Sequence, residues 1–134
     1  GGWFHSGDLA RQDDEGFIYI VDRQKDMIVT GGENVYSREV EDTLYSHAAV
    51  REAAVIGLAD PVWGESVTAV VVLRDGVEGS DQVAADIVSH CRERLAGYKK
   101  PKQVVFVEEL PKTVSGKVLK RDLRERLDGL AAPA

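Results

Sequence analysis

At 134 residues, with 43% hydrophobic and 30% charged side chains, the chain has the size and balance of one compact domain with a short attached segment. No apolar run approaches the roughly 20 residues of a membrane-spanning helix, and the lone Cys91 cannot form an internal disulfide, which points to a reducing cytoplasm. The net charge of −6 conceals an asymmetry: residues 1–91 carry 6 basic and 17 acidic side chains, residues 92–126 carry 11 basic and 5 acidic. A basic patch on an acidic protein is either a solvated helix face or a site for a small polyanion, and suits a nucleic-acid backbone poorly.

Neither a methionine nor a secretory leader opens the chain, so Gly1-Gly2-Trp3 reads as the start of a piece of something longer or as the product of processing. The apolar runs 17–21 and 27–30 flank the polar residues 22–26, which predicts two short strands joined or hinged at that pentapeptide. This most polar break places a domain boundary near Lys25, with residues 1–24 as the end of a larger domain and 25–134 as a small one. Gly31-Gly32 breaks the second strand. Ser37 suits a helix N-cap, Glu39, Glu41 and Asp42 favour the positive end of the helix, and Val40 and Leu44 give it an apolar stripe ending near His47. Residues 50–58 and 67–73, rich in β-branched side chains, predict neighbouring strands linked by a turn that carries Trp63. Ser80 or Asp81 caps a second helix with Val83, Ile87, Val88, Cys91 and Leu95 at spacings of three and four, and Gly97 is placed to end it. A last strand at 104–107 and a closing helix striped by Leu119, Leu123, Leu127 and Leu130 complete the set. The fold class is α+β: a two-stranded ribbon, then a small mixed sheet of about three strands packed with helices.

The most informative stretch is LPKTVSGKVLKRDL, residues 110–123. Lys117 follows Gly116 on a short polar loop and precedes an amphipathic helix, so the loop can present an ammonium to an anion while the helix anchors it. The spacing does not match the phosphate loop G-x-x-x-x-G-K-[ST], whose backbone amides would cradle a nucleotide. No metal site is expected: His5, His47 and His90 are isolated, and Cys91 lacks a second cysteine.

Three segments in register carry a resemblance. GWFHSGDLA (2–10), GFIYIVDRQKDMIVTGGENVYSREVED (16–42) and the Lys117 stretch, in that order and with those gaps, resemble the last third of the adenylate-forming enzymes. That superfamily holds acyl-CoA and aryl-CoA synthetases, luciferases and the adenylation domains of nonribosomal peptide synthetases. The resemblance implies that Lys117 bridges carboxylate and phosphate oxygens during adenylation, that Asp8 accepts hydrogen bonds from both ribose hydroxyls of ATP, and that Arg23 reaches the nucleotide. Lys25 matches the hinge about which the small domain swings between two half-reactions. Gly31, Gly32 and Glu33 match the loop that enters the site for thioester formation. Trp63, Tyr98, Lys100 and Lys102 match residues that hold the nucleotide part of CoA in some aryl-CoA ligases. Taken alone, each position is also compatible with a purely structural role: a mobile surface lysine, an aspartate in a Ser-Gly-Asp turn, a strand-to-helix turn, an aromatic packed beside solvated lysines.

GGENVYSREVED is most similar to fatty-acid or aryl-CoA ligases. The implied function is that of the C-terminal part of an acid:CoA ligase acting on ATP, CoA and a carboxylic acid, with Mg2+ bound mainly by an N-terminal domain of the same polypeptide. The 134 residues alone are then expected to be inactive. A nonribosomal adenylation domain, which delivers to a carrier protein, and a non-catalytic interaction module are the alternatives.

Overall fold

The computed structural model describes residues 8–12, 18–23 and 26–128. Strands β1 (Asp8–Gln12) and β2 (Ile18–Arg23) form an antiparallel ribbon in which Asp8 stands opposite Arg23. A second sheet of five strands follows, in the order β4-β3-β6-β5, with β7 also paired to β6. Its members are β3 (Ile28–Thr30), β4 (Glu33–Val35), β5 (Val50–Asp60), β6 (Gly64–Leu73) and β7 (Gln103–Phe106). All pairings are antiparallel except β6 with β7, the parallel one that the crossover through helix α2 (Asp81–Arg94) makes possible.

β5 and β6 are the spine, and their sequences read as near-continuous apolar runs because both faces are buried. Successive side chains point to opposite faces. Ala53, Val55, Val67, Ala69 and Val71 pack one core with Val40 and Leu44 of helix α1 (Ser37–Tyr45) and Ile87 and Cys91 of α2. Ala54, Ile56, Leu58, Val70 and Val72 pack the other with Leu110 and with Leu123 and Leu127 of helix α3 (Lys120–Leu127). Each fully buried Val, Leu or Ile contributes about 1.5–3 kcal/mol, so these two layers carry the fold.

Several expectations need correction. The ribbon pairs 18–23 with the unanticipated β1, not with 27–30; the latter region enters the main sheet as β3, hairpinned to β4. That sheet therefore has five strands where about three were expected. Ser37 does not cap α1. Tyr36 occupies the N-cap position without a side-chain bond, and the fully buried Ser37 Oγ instead accepts a 2.9 Å hydrogen bond from Lys120 Nζ, a stronger charge-assisted interaction. Ser80 does cap α2, accepting from Val83 N–H at 3.1 Å. The helix stops at Arg94, before Gly97, which opens a short 3-10 turn (Gly97–Lys99). Lys25 and Leu130 lie outside the described residues.

α1 and α2 meet at a histidine pair, with the His47 and His90 rings edge to face at 5.0 Å. His47 Nδ1 accepts from Ala49 N–H at 3.0 Å and its Nε2 lies 2.7 Å from Asp86 Oδ2. His90 Nε2 lies 2.7 Å from Ser46 Oγ and 3.2 Å from Thr43 O. Burial first, then the nearby charges of Arg94 and His47, hold His90 below the ordinary histidine value of 6.5. The unfolded chain therefore binds the proton more readily. This contribution to stability is complete above about pH 6.5 and is lost as pH falls through the lowered folded value. The urea midpoint is expected to drop on acidification through that window, and His90→Gln is expected to flatten the drop; an equally steep decline in the variant would assign it to other groups.

Candidate functional site

The loop bearing Lys117 is closed at its base and crosslinked within. Leu119 N–H donates to Pro111 O at 2.8 Å, and Lys112 and Val118 form an antiparallel bridge. Thr113 N–H donates to Lys117 O at 2.8 Å and Gly116 N–H to Thr113 O at 2.9 Å. Gly116 adopts a φ of +91°, a conformation that residues with a Cβ avoid. Thr113 Oγ1 accepts from Lys117 N–H at 3.1 Å. The backbone of Lys117 is thus held on both its amide and its carbonyl, and its side chain is exposed.

Lys117 lines a cleft of about 690 Å3 with Asp26, Glu41, Tyr45, Ala53, Lys120, Arg121 and Arg124. Two of these cations are engaged: Lys120 Nζ sits 2.8 Å from Glu41 Oε2, and Arg124 Nη2 3.2 Å from Asp26 Oδ1. Arg121 makes a 3.5 Å pair with Glu125 in which both side chains are well exposed, a contact of small worth. Among the described residues Lys117 Nζ has no ion-pair partner, which leaves it open to an incoming anion. The cleft borders the free edge of β5, where Val55 N–H, directed away from β6, donates to Glu41 Oε2 at 2.9 Å.

A second cleft, of about 340 Å3, lies on the other side of β6. It is lined by Thr30, Gly31, Glu33, Trp63, Val67, Gly97, Tyr98, Lys100 and Lys102. Three segments far apart in the chain, around residues 30–33, 63–67 and 97–102, converge here. β3 and β4 are joined by Gly31 and Gly32 alone, with φ of +57° and +82°, the two-residue hairpin that demands positive φ at both positions. GGEN is therefore a hairpin tip and not a strand-to-helix turn. Asp60 Oδ1 accepts from Val62 N–H at 2.8 Å and Trp63 N–H at 2.9 Å, and these two bonds hold its carboxyl below the usual range. They shape the connection between β5 and β6 that presents Trp63, half exposed. Trp63 O accepts from Gly31 N–H at 2.9 Å, and Lys102 Nζ sits 4.1 Å from the indole centroid, a cation–π contact. Lys99 turns away. Its Nζ is bound 3.0 and 3.1 Å from the Glu39 carboxylate, whose hydrogen bond keeps the ammonium above the ordinary lysine range.

The structure thus brings Gly31, Glu33, Trp63, Tyr98, Lys100 and Lys102 together, sets Gly32 beside them in the hairpin tip, and puts Lys117 in the separate cleft. Asp8 and Arg23 are adjacent in the ribbon's register, whereas the hinge position Lys25 lies outside the described residues. Sequence reasoning missed Tyr45, Arg121 and the ion pairs beneath the Lys117 loop. Acidic residues on α1 and the basic run at 120–126 were the available signal, but their partnership spans about eighty residues. Among the described residues no three His, Cys, Asp or Glu side chains converge as metal ligands. The resemblance assigns Mg2+ mainly to an N-terminal domain of the same polypeptide, not to these residues. No helix among them is long and apolar enough to cross a membrane.

Fold and clefts together define a small α+β lobe carrying the exposed Lys117 in a cleft at one edge and an aromatic, lysine-flanked groove at the other. Residues 39–117 match the AMP-binding enzyme C-terminal domain, and the chain belongs to that family. It is 51% identical over 127 residues to a feruloyl-CoA synthase of an Amycolatopsis species, covering 93% of this chain and 25% of that protein. It is 50% identical over 125 residues to the long-chain-fatty-acid–CoA ligase FadD13 of Mycobacterium tuberculosis, covering 93% and 24%. The crystal structure of ATP-bound MatB from Rhodopseudomonas palustris superposes with a TM-score of 0.87 at 39% identity, over 96% of this chain and 25% of that one. The chain therefore spans about a quarter of the length of these relatives.

Proposed function

We propose that this chain is the C-terminal lobe of a longer AMP-forming carboxylic acid:CoA ligase, with residues 1–24 ending the larger domain and Lys25 as the hinge. The observation that carries this reading is the separation of the two clefts across the β5–β6 pair, each equipped for a different half-reaction.

In the first, a carboxylate oxygen attacks the α-phosphorus of ATP and pyrophosphate leaves, producing the acyl-adenylate. Two anions must approach, and the Lys117 ammonium, aimed from a preorganised turn, stabilises the charge that builds between them. Asp8 and Arg23 hold the ribose and the nucleotide. In the second, the thiol sulfur of CoA attacks the acyl carbonyl and AMP departs. Lys100 and Lys102 neutralise phosphates of CoA beside Trp63 and Tyr98, while the side-chain-free tip Gly31-Gly32 gives the pantetheine arm close passage along the backbone. A swing about Lys25 exchanges one edge of the lobe for the other, as hinge residues do when both flanks stay rigid. The lone thiol Cys91, buried and pushed up to about 11 by that burial, is chemically quiet and fits a reducing cytoplasm.

The test compares acceptors. The full-length polypeptide, given ATP and an acid, is expected to form a thioester with free CoA and not with a phosphopantetheinylated carrier protein. The 134-residue chain alone is expected to show no ATP–pyrophosphate exchange. Thioester formation on the carrier only would make the parent a nonribosomal adenylating enzyme, and exchange by the isolated lobe would overturn the division of labour altogether.

A further inference from the structure

On either side of the Lys117 loop, cations meet acids that belong to the rest of the lobe, and two of them, Lys120 and Arg124, also line the cleft. Lys112, two residues after the loop's entry at Leu110, pairs with Glu52 of β5. Lys120, the first residue after its exit, pairs with Glu41 of α1 and bonds Ser37. Arg124, one turn further along α3, pairs with Asp26. The central pair is the best shielded: the side chains of Lys120 and Glu41 are 13% and 18% exposed, and Glu41 Oε2 is also fixed by Val55 N–H. Surface ion pairs are worth little, but a largely buried one with further hydrogen bonds on both partners has one geometry and holds whatever is attached to it.

We propose that Glu41 is a positioning residue for Lys117, acting through Lys120, with Glu52 and Lys112 performing the same service at the loop's other end. The loop's internal hydrogen bonds give it a shape but no orientation relative to the sheet. Orientation comes from Leu110 and Val118, which pack into and against the core, and from two charged anchors, one on each side of the turn, tied through carboxylates to β5 at Glu52 and at Val55 N–H. A displacement of about 1 Å at a catalytic group can cost roughly a hundredfold in rate, so loosening either anchor spoils adenylation without touching the groove across the sheet.

This inference rests on the reading of Lys117 given above, and the experiment separates the two. In the full-length enzyme, Glu41→Gln keeps the size of the side chain and one acceptor oxygen but removes the charge. Its kcat for ATP–pyrophosphate exchange is expected to fall by about ten- to a hundredfold, with KM for ATP and the rate of CoA transfer from a supplied acyl-adenylate unchanged. Lys120→Met should reproduce the split and Lys120→Arg should recover most of the loss. Should Glu41→Gln fail to fold, Glu52→Gln at the more exposed pair should give the same split at smaller size. Parallel loss in both half-reactions, or unaltered exchange, overturns the positioning role. Lys117→Ala is measured alongside: if that variant retains full exchange, the assignment of Lys117 itself has failed, whatever Glu41→Gln does.

Discussion

Replacing Lys117 by alanine in the full-length enzyme is expected to slow ATP–pyrophosphate exchange by about a hundredfold or more, a loss of roughly 3 kcal/mol in transition-state stabilisation. Transfer of a supplied acyl-adenylate to CoA should keep its rate. The asymmetry follows from the layout: the cleft containing Lys117 shares no lining residue with the groove containing Trp63 and Lys102. The exposed side chain can be removed without disturbing the turn, because Lys117 is tied in through its backbone N–H and carbonyl. Stability should accordingly change by no more than about 0.5 kcal/mol, as for surface substitutions generally. A variant that folds normally and exchanges pyrophosphate at full speed would remove the chemical role from this residue.

The parts of this fold that were legible in the sequence are those in which local pattern and tertiary burial agree. β5 and β6 announce themselves by near-continuous apolar stretches rich in β-branched side chains, because a strand covered on both faces has no reason to alternate. α2 shows its cap at Ser80 and its stripe through Ile87 and Cys91. β1 and β4 were illegible for the opposite reason. DLARQ has no alternation to read, and ENV contributes a single buried residue, Val35; only a partner strand makes either of them β. Ser37 misled because capping is a local competition, and here a lysine 83 positions away supplied the better partner.

The same division runs through the candidate site. Lys117 could be singled out from its loop, and the convergence of Trp63 with Tyr98, Lys100 and Lys102 came only from resemblance, since pairing β6 with both β3 and β7 is what draws those segments together. Three lysines stand within AGYKKPK, yet composition does not reveal that Lys99 is committed to Glu39 while Lys100 and Lys102 face the groove.

The hairpin tip offers the sharpest structural test. Gly31→Val is expected to destabilise the lobe by roughly 2–5 kcal/mol, the sum of about 1–2 for placing an L side chain in the left-handed region and about 1–3 for overpacking. The packing part is specific to this position: a Cβ at Gly31 would stand 2.9 Å from Trp63 Cε3, whereas at Gly32, with φ of +82°, nothing lies within 4 Å. Gly32→Val should therefore show the conformational part alone, and the difference in urea midpoint between the two variants measures how tightly Trp63 abuts the turn. In the full-length enzyme, the smaller Gly31→Ala should slow CoA transfer while leaving pyrophosphate exchange close to normal, since forcing Trp63 aside also displaces the ring against which Lys102 is held. Equal destabilisation at positions 31 and 32 would mean that Trp63 yields freely, and the indole could then no longer be regarded as the element that couples the glycine tip to the lysine of the groove.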